Sequence, residues 1–263
     1  MMTQAFAPST EILDPWAHLL ASGTLVMVRL GCVIALAPPF NSPGIPPRLK
    51  VSFLLAMTIL LTPIAAGLPQ AHVDLDISSV LGEMSVGLLF GFSLSLLNEA
   101  LLFAGSLLGI SFSFSLANLL DPNSRVDTPV LGILLNWFGI LVILAAGLDR
   151  MILAAVMRSL AVVPLGRATM HLGAVHQCVA MISGVFFAGL QLATPVMAAS
   201  IAVEVTVALI GRFAPALPAH VVGIPVKTIA SYIILIGSLA IWPAWIERHF
   251  SSLLDNAQRM VAG

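Results

Sequence analysis

Charge is the scarcest commodity in this sequence: 9% of its 263 residues are Asp, Glu, Lys or Arg, against 59% hydrophobic, and the mean hydropathy is +1.05. Soluble chains carry about 25% charged residues, so this one cannot cover a water-facing surface and reads as an integral membrane protein. Clustered basic residues are missing as well. The 11 Lys and Arg are scattered singly and the net charge is -1, which excludes the phosphate-tracking footprint of a nucleic-acid binder. Cysteine is limited to Cys32 and Cys178, each inside an apolar run with no Cys-x-x-Cys or His pairing nearby. That pattern suggests neither a disulfide framework nor a zinc site, and both read as small buried hydrophobes.

Catalytic signatures are absent too. There is no Gly-x-x-x-x-Gly-Lys-Ser/Thr loop, no His-Glu-x-x-His and no Gly-x-Ser-x-Gly elbow. His171 and His176 stand five residues apart, off the spacing that puts two ligands on one helix face. No catalytic residue, metal or cofactor is assigned. The first residues carry Glu11 and Asp14 in place of a basic n-region, so the first apolar run is expected to be a retained helix and not a cleavable signal.

What is present is a succession of apolar runs. They are expected as membrane helices over 16–37, 51–68, 77–97, 100–120, 128–148, 174–210 and 221–246. Trp16 opens the first at headgroup level, and Pro38-Pro39 with Pro43, Pro46 and Pro47 close it. The sixth run exceeds the roughly 20 residues of a simple crossing, and a kink or break is predicted at Thr194-Pro195. With the N-terminus outside and 100–120 crossing, Arg48, Lys50, Arg150, Arg158, Arg167, Arg248 and Arg259 face the cytoplasm, seven of the 11 basic residues. If 100–120 is re-entrant, that parity breaks and Arg150, Arg158 and Arg167 move outside.

Small residues recur at helical spacing. Gly87, Gly91 and Ser95 form one ridge, and Gly105, Gly109 and Ser113 a second, with Asn98-Glu99 expected at a turn between two helices. Such ridges let backbones approach closely in lipid. Four ionisable residues fall within spans: Arg29, Glu83, Glu204 and Lys227. A charge at a helix centre costs about 2.5–3.5 kcal/mol on insertion scales, so each is expected to pair inside the chain, bridge to another subunit or mark a wet path. Opposite signs suggest that Arg29 or Lys227 neutralises Glu83 or Glu204, and the sequence does not choose between the pairings.

The run from Gly105 into Asp121-Pro122 has a distinct texture. Gly105, Gly109, Ser111, Ser113 and Ser115 interleave with Phe112 and Phe114, a composition suited to packing against protein or lining a passage more than to facing lipid.

Five stretches, in order, carry a resemblance to a known family. They are Arg29 with Ala37-Pro38-Pro39, Pro46-Pro47-Arg48-Leu49-Lys50, Gly105 to Asp121-Pro122, Ser159 to Pro164-Leu165-Gly166, and Arg212-Phe213-Ala214-Pro215 with Gly223-Ile224-Pro225. The chain resembles the FliR family of flagellar export proteins and its virulence-system counterparts, the T subunits of injectisome export gates, from about residue 16 to residue 250. One departure is that Gly147 precedes Leu148-Asp149-Arg150, where the family usually has Gly-His.

The resemblance implies a single all-α domain over 1–263, built of helical hairpins that partner subunits complete. It implies a non-enzymatic part of a type III export gate in the bacterial inner membrane at the flagellar basal body. The partners would be FliP-like and FliQ-like gate subunits, FlhB-like and FlhA-like export proteins, unfolded export substrates and membrane lipid. Carried onto this sequence, the pore plug would span 109–124. Gly109 would lend mobility, Phe112, Phe114, Leu116 and Leu119 apolar closure, and Asp121-Pro122 the turn. Apolar constrictions exclude ions by dewetting, which suits a gate that must seal at rest. A stand-alone transporter would instead call for an inverted repeat with broken helices at matching positions, and no break matching Pro195 is evident.

Overall fold

Proline and glycine set most of the helix boundaries. The computed structural model describes residues 14–68, 75–112, 130–168, 172–213 and 219–262. Among these, eight α-helices and no strand occur: α1 (Asp14–Leu36), α2 (Pro47–Ala66), α3 (Ile77–Ser111), α4 (Val130–Ala145), α5 (Leu148–Val162), α6 (Leu172–Phe213), α7 (Ala219–Leu239) and α8 (Trp242–Ala262). The chain is an all-α polytopic membrane protein. Four helices are long and apolar enough to cross a membrane, or up to six if each of two bent pairs counts as one span.

The helix α1 stops at Leu36, just ahead of Pro38-Pro39, and Pro47 opens α2, where its missing N–H costs no hydrogen bond. Many hydroxyls within the helices return to their own backbone. Ser22 Oγ donates to the His18 carbonyl at 2.8 Å, Thr62 Oγ1 to Thr58 at 2.6 Å and Thr194 Oγ1 to Leu190 at 2.6 Å. Each polar side chain is thereby satisfied without a tertiary partner.

Four sequence expectations are corrected. No hairpin turns at Asn98-Glu99, because α3 runs unbroken from Ile77 to Ser111. Neither residue breaks a helix, and Glu99 simply sits on an exposed face. The helix α6 continues through Pro195 without a break, which leaves a kink as the only local effect open to that proline besides its missing N–H. The stretch after Gly147, left as a cytoplasmic connection between the expected spans 128–148 and 174–210, contains α5, whose buried Ile152, Ala155, Val156, Ser159 and Leu160 recur at helical spacing. The 221–246 run is interrupted at Ala240-Ile241, where α7 ends and the amphipathic α8 begins.

The chain divides into two compact units. One comprises Met1–Leu94, Asp149–Gln177 and Leu253–Gly263, and the other Ser95–Leu148 and Cys178–Ser252. In the first, α1 packs along α2, with Phe40 stacked on Phe53 at 5.3 Å. In the second, two aromatic pairs and a hydrogen bond tie the helices: Phe103 meets Phe186 edge-on at 5.3 Å, Phe138 lies 6.3 Å from Trp242, and Trp245 Nε1 donates to Gln191 Oε1 at 3.1 Å.

Candidate functional site

The first unit is organised around a buried ion pair. Arg29 on α1 and Glu83 on α3 are 1% and 0% exposed, and Arg29 Nε donates to Glu83 Oε2 at 2.5 Å. The remaining valences are filled from α5 and the loop after it. Arg29 Nη1 donates to Ser159 Oγ at 3.2 Å, Arg29 Nη2 to the Val163 carbonyl at 3.0 Å, and the Gly166 N–H to Glu83 Oε1 at 3.0 Å. Ser159 Oγ in turn donates to the Val156 carbonyl at 2.7 Å. A buried pair offsets its desolvation only when its other lone pairs and protons are also met, and here three residues of α5 and its following loop meet them.

Glycines on either side of Glu83 make this approach possible. A Cβ on Gly82 would lie 2.4 Å from the Ala168 carbonyl oxygen, and one on Gly87 would lie 2.4 Å from the Arg29 carbonyl oxygen and 2.8 Å from the Cys32 Cβ. Gly91 continues the seam, its Cβ position 2.8 Å from the Leu36 Cβ. Gly166 has φ +75°, a left-handed conformation that favours glycine, and it aims the N–H at the carboxylate. Gly87 and Gly91 therefore face α1, and not a following helix as the hairpin expectation had it. Sequence reasoning gave no role to Ser159, Val163 or Gly166, although Ser159 and Pro164-Leu165-Gly166 are among the stretches that carry the family resemblance.

In the second unit, α3 crosses α4 at a glycine pair. A Cβ on Gly105 would lie 2.1 Å from the Gly132 Cα and 2.9 Å from the Leu131 carbonyl carbon. A third close approach comes from α6, where a Cβ on Gly189 would lie 2.9 Å from the Ala100 carbonyl oxygen. Gly109 behaves differently, with nothing within 4 Å of its Cβ position. The ridge is thus a packing surface at Gly105 and open at Gly109. Phe112 is 3% exposed and packs on Tyr232 of α7, ring centroids 4.5 Å apart. Phe114, Leu116, Leu119, Asp121 and Pro122 lie outside the described residues.

The second charge pair is unlike the first. Lys227 of α7 hydrogen-bonds Glu204 of α6, but Glu204 is 57% exposed on a face it shares with Ile201 and Val205. Arg29 thus pairs with Glu83 and Lys227 with Glu204, which resolves the pairing that the sequence left open. Glu99 on α3 is exposed as well. Among the described residues, no group of three His, Cys, Asp or Glu side chains could hold a metal.

The chain is similar to curated proteins over most of its length. The flagellar biosynthetic protein FliR of Caulobacter vibrioides is 28% identical over 236 residues, covering 88% of this chain and 93% of that one. FliR of Bacillus subtilis is 22% identical over 242 residues, covering 90% and 93%. The surface presentation of antigens protein SpaR of Shigella flexneri is 29% identical over 234 residues, covering 82% and 85%. Residues 20–253 match the family model described as bacterial export proteins, family 1, a span that takes in both charge pairs and the Gly105–Gly132 crossing, and the chain belongs to that family.

Proposed function

We propose that this chain is a non-enzymatic core subunit of the flagellar type III protein export gate in the bacterial inner membrane. It would help form and close the channel through which unfolded flagellar subunits leave the cell. FliP-like and FliQ-like subunits are its neighbours in this reading, and FlhB-like and FlhA-like proteins contact the assembly.

The observation that carries the reading is the mismatch between apolar length and bilayer thickness. The apolar part of α6, His176–Phe213, is 38 residues long, and at about 1.5 Å per residue it extends about 57 Å. A hydrocarbon core is about 30 Å thick, so burying this length in lipid demands a tilt of roughly 60°, outside the 0–40° found for membrane helices. Only 17% of its most apolar window is buried by the chain itself. Phe186, Phe187, Val205 and Phe213 all stand exposed along it. A bilayer can cover only part of the length of a straight helix this long and this chain buries little of it, whereas the helices of other subunits would cover the rest. Exposed Glu204 and Glu99 fit the same picture, since carboxylates on apolar helices are less costly against a partner or a wet lumen than against acyl chains.

Closure is assigned to the 109–124 segment, with Phe114, Leu116 and Leu119 as the apolar constriction and Asp121-Pro122 as its turn. Phe112 anchors the segment through Tyr232. The likeness to SpaR supports a second reading, an injectisome T subunit with the same architecture.

The test is to extract the tagged protein from its native membrane in mild detergent and weigh the intact complex by mass spectrometry. One copy of this chain with several copies of small P-like and Q-like membrane proteins is the expected result, and the identity of those partners separates the flagellar from the injectisome reading. A monomer or simple homo-oligomer, under conditions that preserve other membrane complexes, overturns both.

A further inference from the structure

The first unit contains a cleft of about 200 Å³ that the export reading leaves unused. Phe90, Ala161, Val162 and Val261 give it apolar walls, and Arg158 and Gln258 supply its polar groups. Arg158 is exposed and has no ion-pair partner among the described residues. It stands one helical turn before Val162 on α5, so a guanidinium and an apolar patch share one face. The rest of that outer face mixes Arg150 with exposed Met151 and Met157, the cation-plus-apolar texture of a helix lying at a membrane surface.

We propose that this cleft binds an anionic phospholipid, with the headgroup phosphate on Arg158 and Gln258 and the first part of one acyl chain against Phe90, Ala161, Val162 and Val261. An unpaired cation above an apolar recess complements an amphiphile that is negative at one end. A zwitterionic lipid offers the same chain but adds a positive charge beside Arg158. An acidic helix of another protein would present its charge without a slender chain to enter the recess. The cleft also reaches the buried network, because Ser159 lines it and its Oγ accepts from Arg29. Lipid occupancy therefore supports the wall that holds Arg29 in place.

The test places the full-length protein in nanodiscs containing equal amounts of phosphatidylglycerol and phosphatidylcholine, then releases it for native mass spectrometry to count the lipids retained. Phosphatidylglycerol is expected to be retained preferentially. Arg158→Gln should lower that retention about fivefold, the loss of one basic contact at a membrane surface, and Ala161→Phe, which fills the recess, should lower retention of both lipids. Arg150→Gln, which removes a charge from the same helix outside the cleft, should leave retention unchanged and controls for general electrostatics. Equal retention of the two lipids by the unaltered protein overturns the site. So does an equal loss in Arg150→Gln, or an Arg158→Gln variant that keeps its lipid but loses a co-purifying protein.

Discussion

Arg29 Nε donates to Glu83 Oε2 at 2.5 Å although neither side chain meets solvent, and the two residues stand 54 positions apart in the chain. This pair joins α1 to α3, and through Ser159, Val163 and Gly166 it fixes α5 and its following loop to both. The charges do not sit in lipid and do not line an open path. Their role is to hold three segments in one register.

The pair should therefore be costly to halve and cheaper to remove. Arg29→Met or Glu83→Met alone leaves a buried charge without its counter-charge, a change worth about 3–5 kcal/mol. Arg29→Met combined with Glu83→Met removes both charges and is expected to recover most of that loss. Thermal unfolding of the purified variants in one detergent measures each corner of the cycle. Equal loss in the single and double variants would show that the pair acts by packing and not by charge.

The glycine seams yield a sharper contrast, since Gly105 and Gly109 are one turn apart with opposite surroundings. Gly105→Ala places a methyl 2.1 Å from the Gly132 backbone, where no side chain can swing aside, and should destabilise by about 1–3 kcal/mol through overpacking. Gly109→Ala meets open space and should be neutral or stabilising by about 0.5–1 kcal/mol, because alanine is the better helix former. Melting temperatures of the two variants should move in opposite directions or differ clearly. Similar losses would show that Gly109 is not open in the folded chain.

How much of this the sequence revealed depended on whether the signal was local. Pro38-Pro39 and Pro47 marked the end of α1 and the start of α2 because proline acts on its own backbone. Asn98-Glu99 misled, since a polar pair amid apolar residues suggests a turn, yet without glycine or proline nothing stops the helix. The helix α5 was legible in principle from the spacing of Ile152, Ala155, Val156 and Ser159, but its charges left it as a connection between spans. Arg29, Glu83, Glu204 and Lys227 stood out as too costly for lipid. Which cation meets which carboxylate depends on how distant helices pack, and no spacing in one sequence encodes that. Gly132 and Gly189 went unnoticed because a lone glycine in an apolar helix carries no sign of what approaches it.

The proposed plug is tested by separating its anchor from its seal. Phe112 is buried against Tyr232, so Phe112→Ala would cost about 3–5 kcal/mol of packing and confuse leakage with misfolding. Deleting 113–116 spares that contact while removing Phe114 and Leu116 from the apolar closure. In an assembled gate this deletion should raise ion conductance across the membrane, because a constriction that has lost its apolar girdle no longer dewets. Conductance is read in vesicles carrying the purified complex, with subunit composition checked on the same sample. Unchanged conductance in a fully assembled complex would mean that the segment packs between subunits and that the seal is made elsewhere. Increased conductance, with Phe114→Leu behaving like the unaltered gate and Phe114→Asp behaving like the deletion, would tie closure to apolar character at that position.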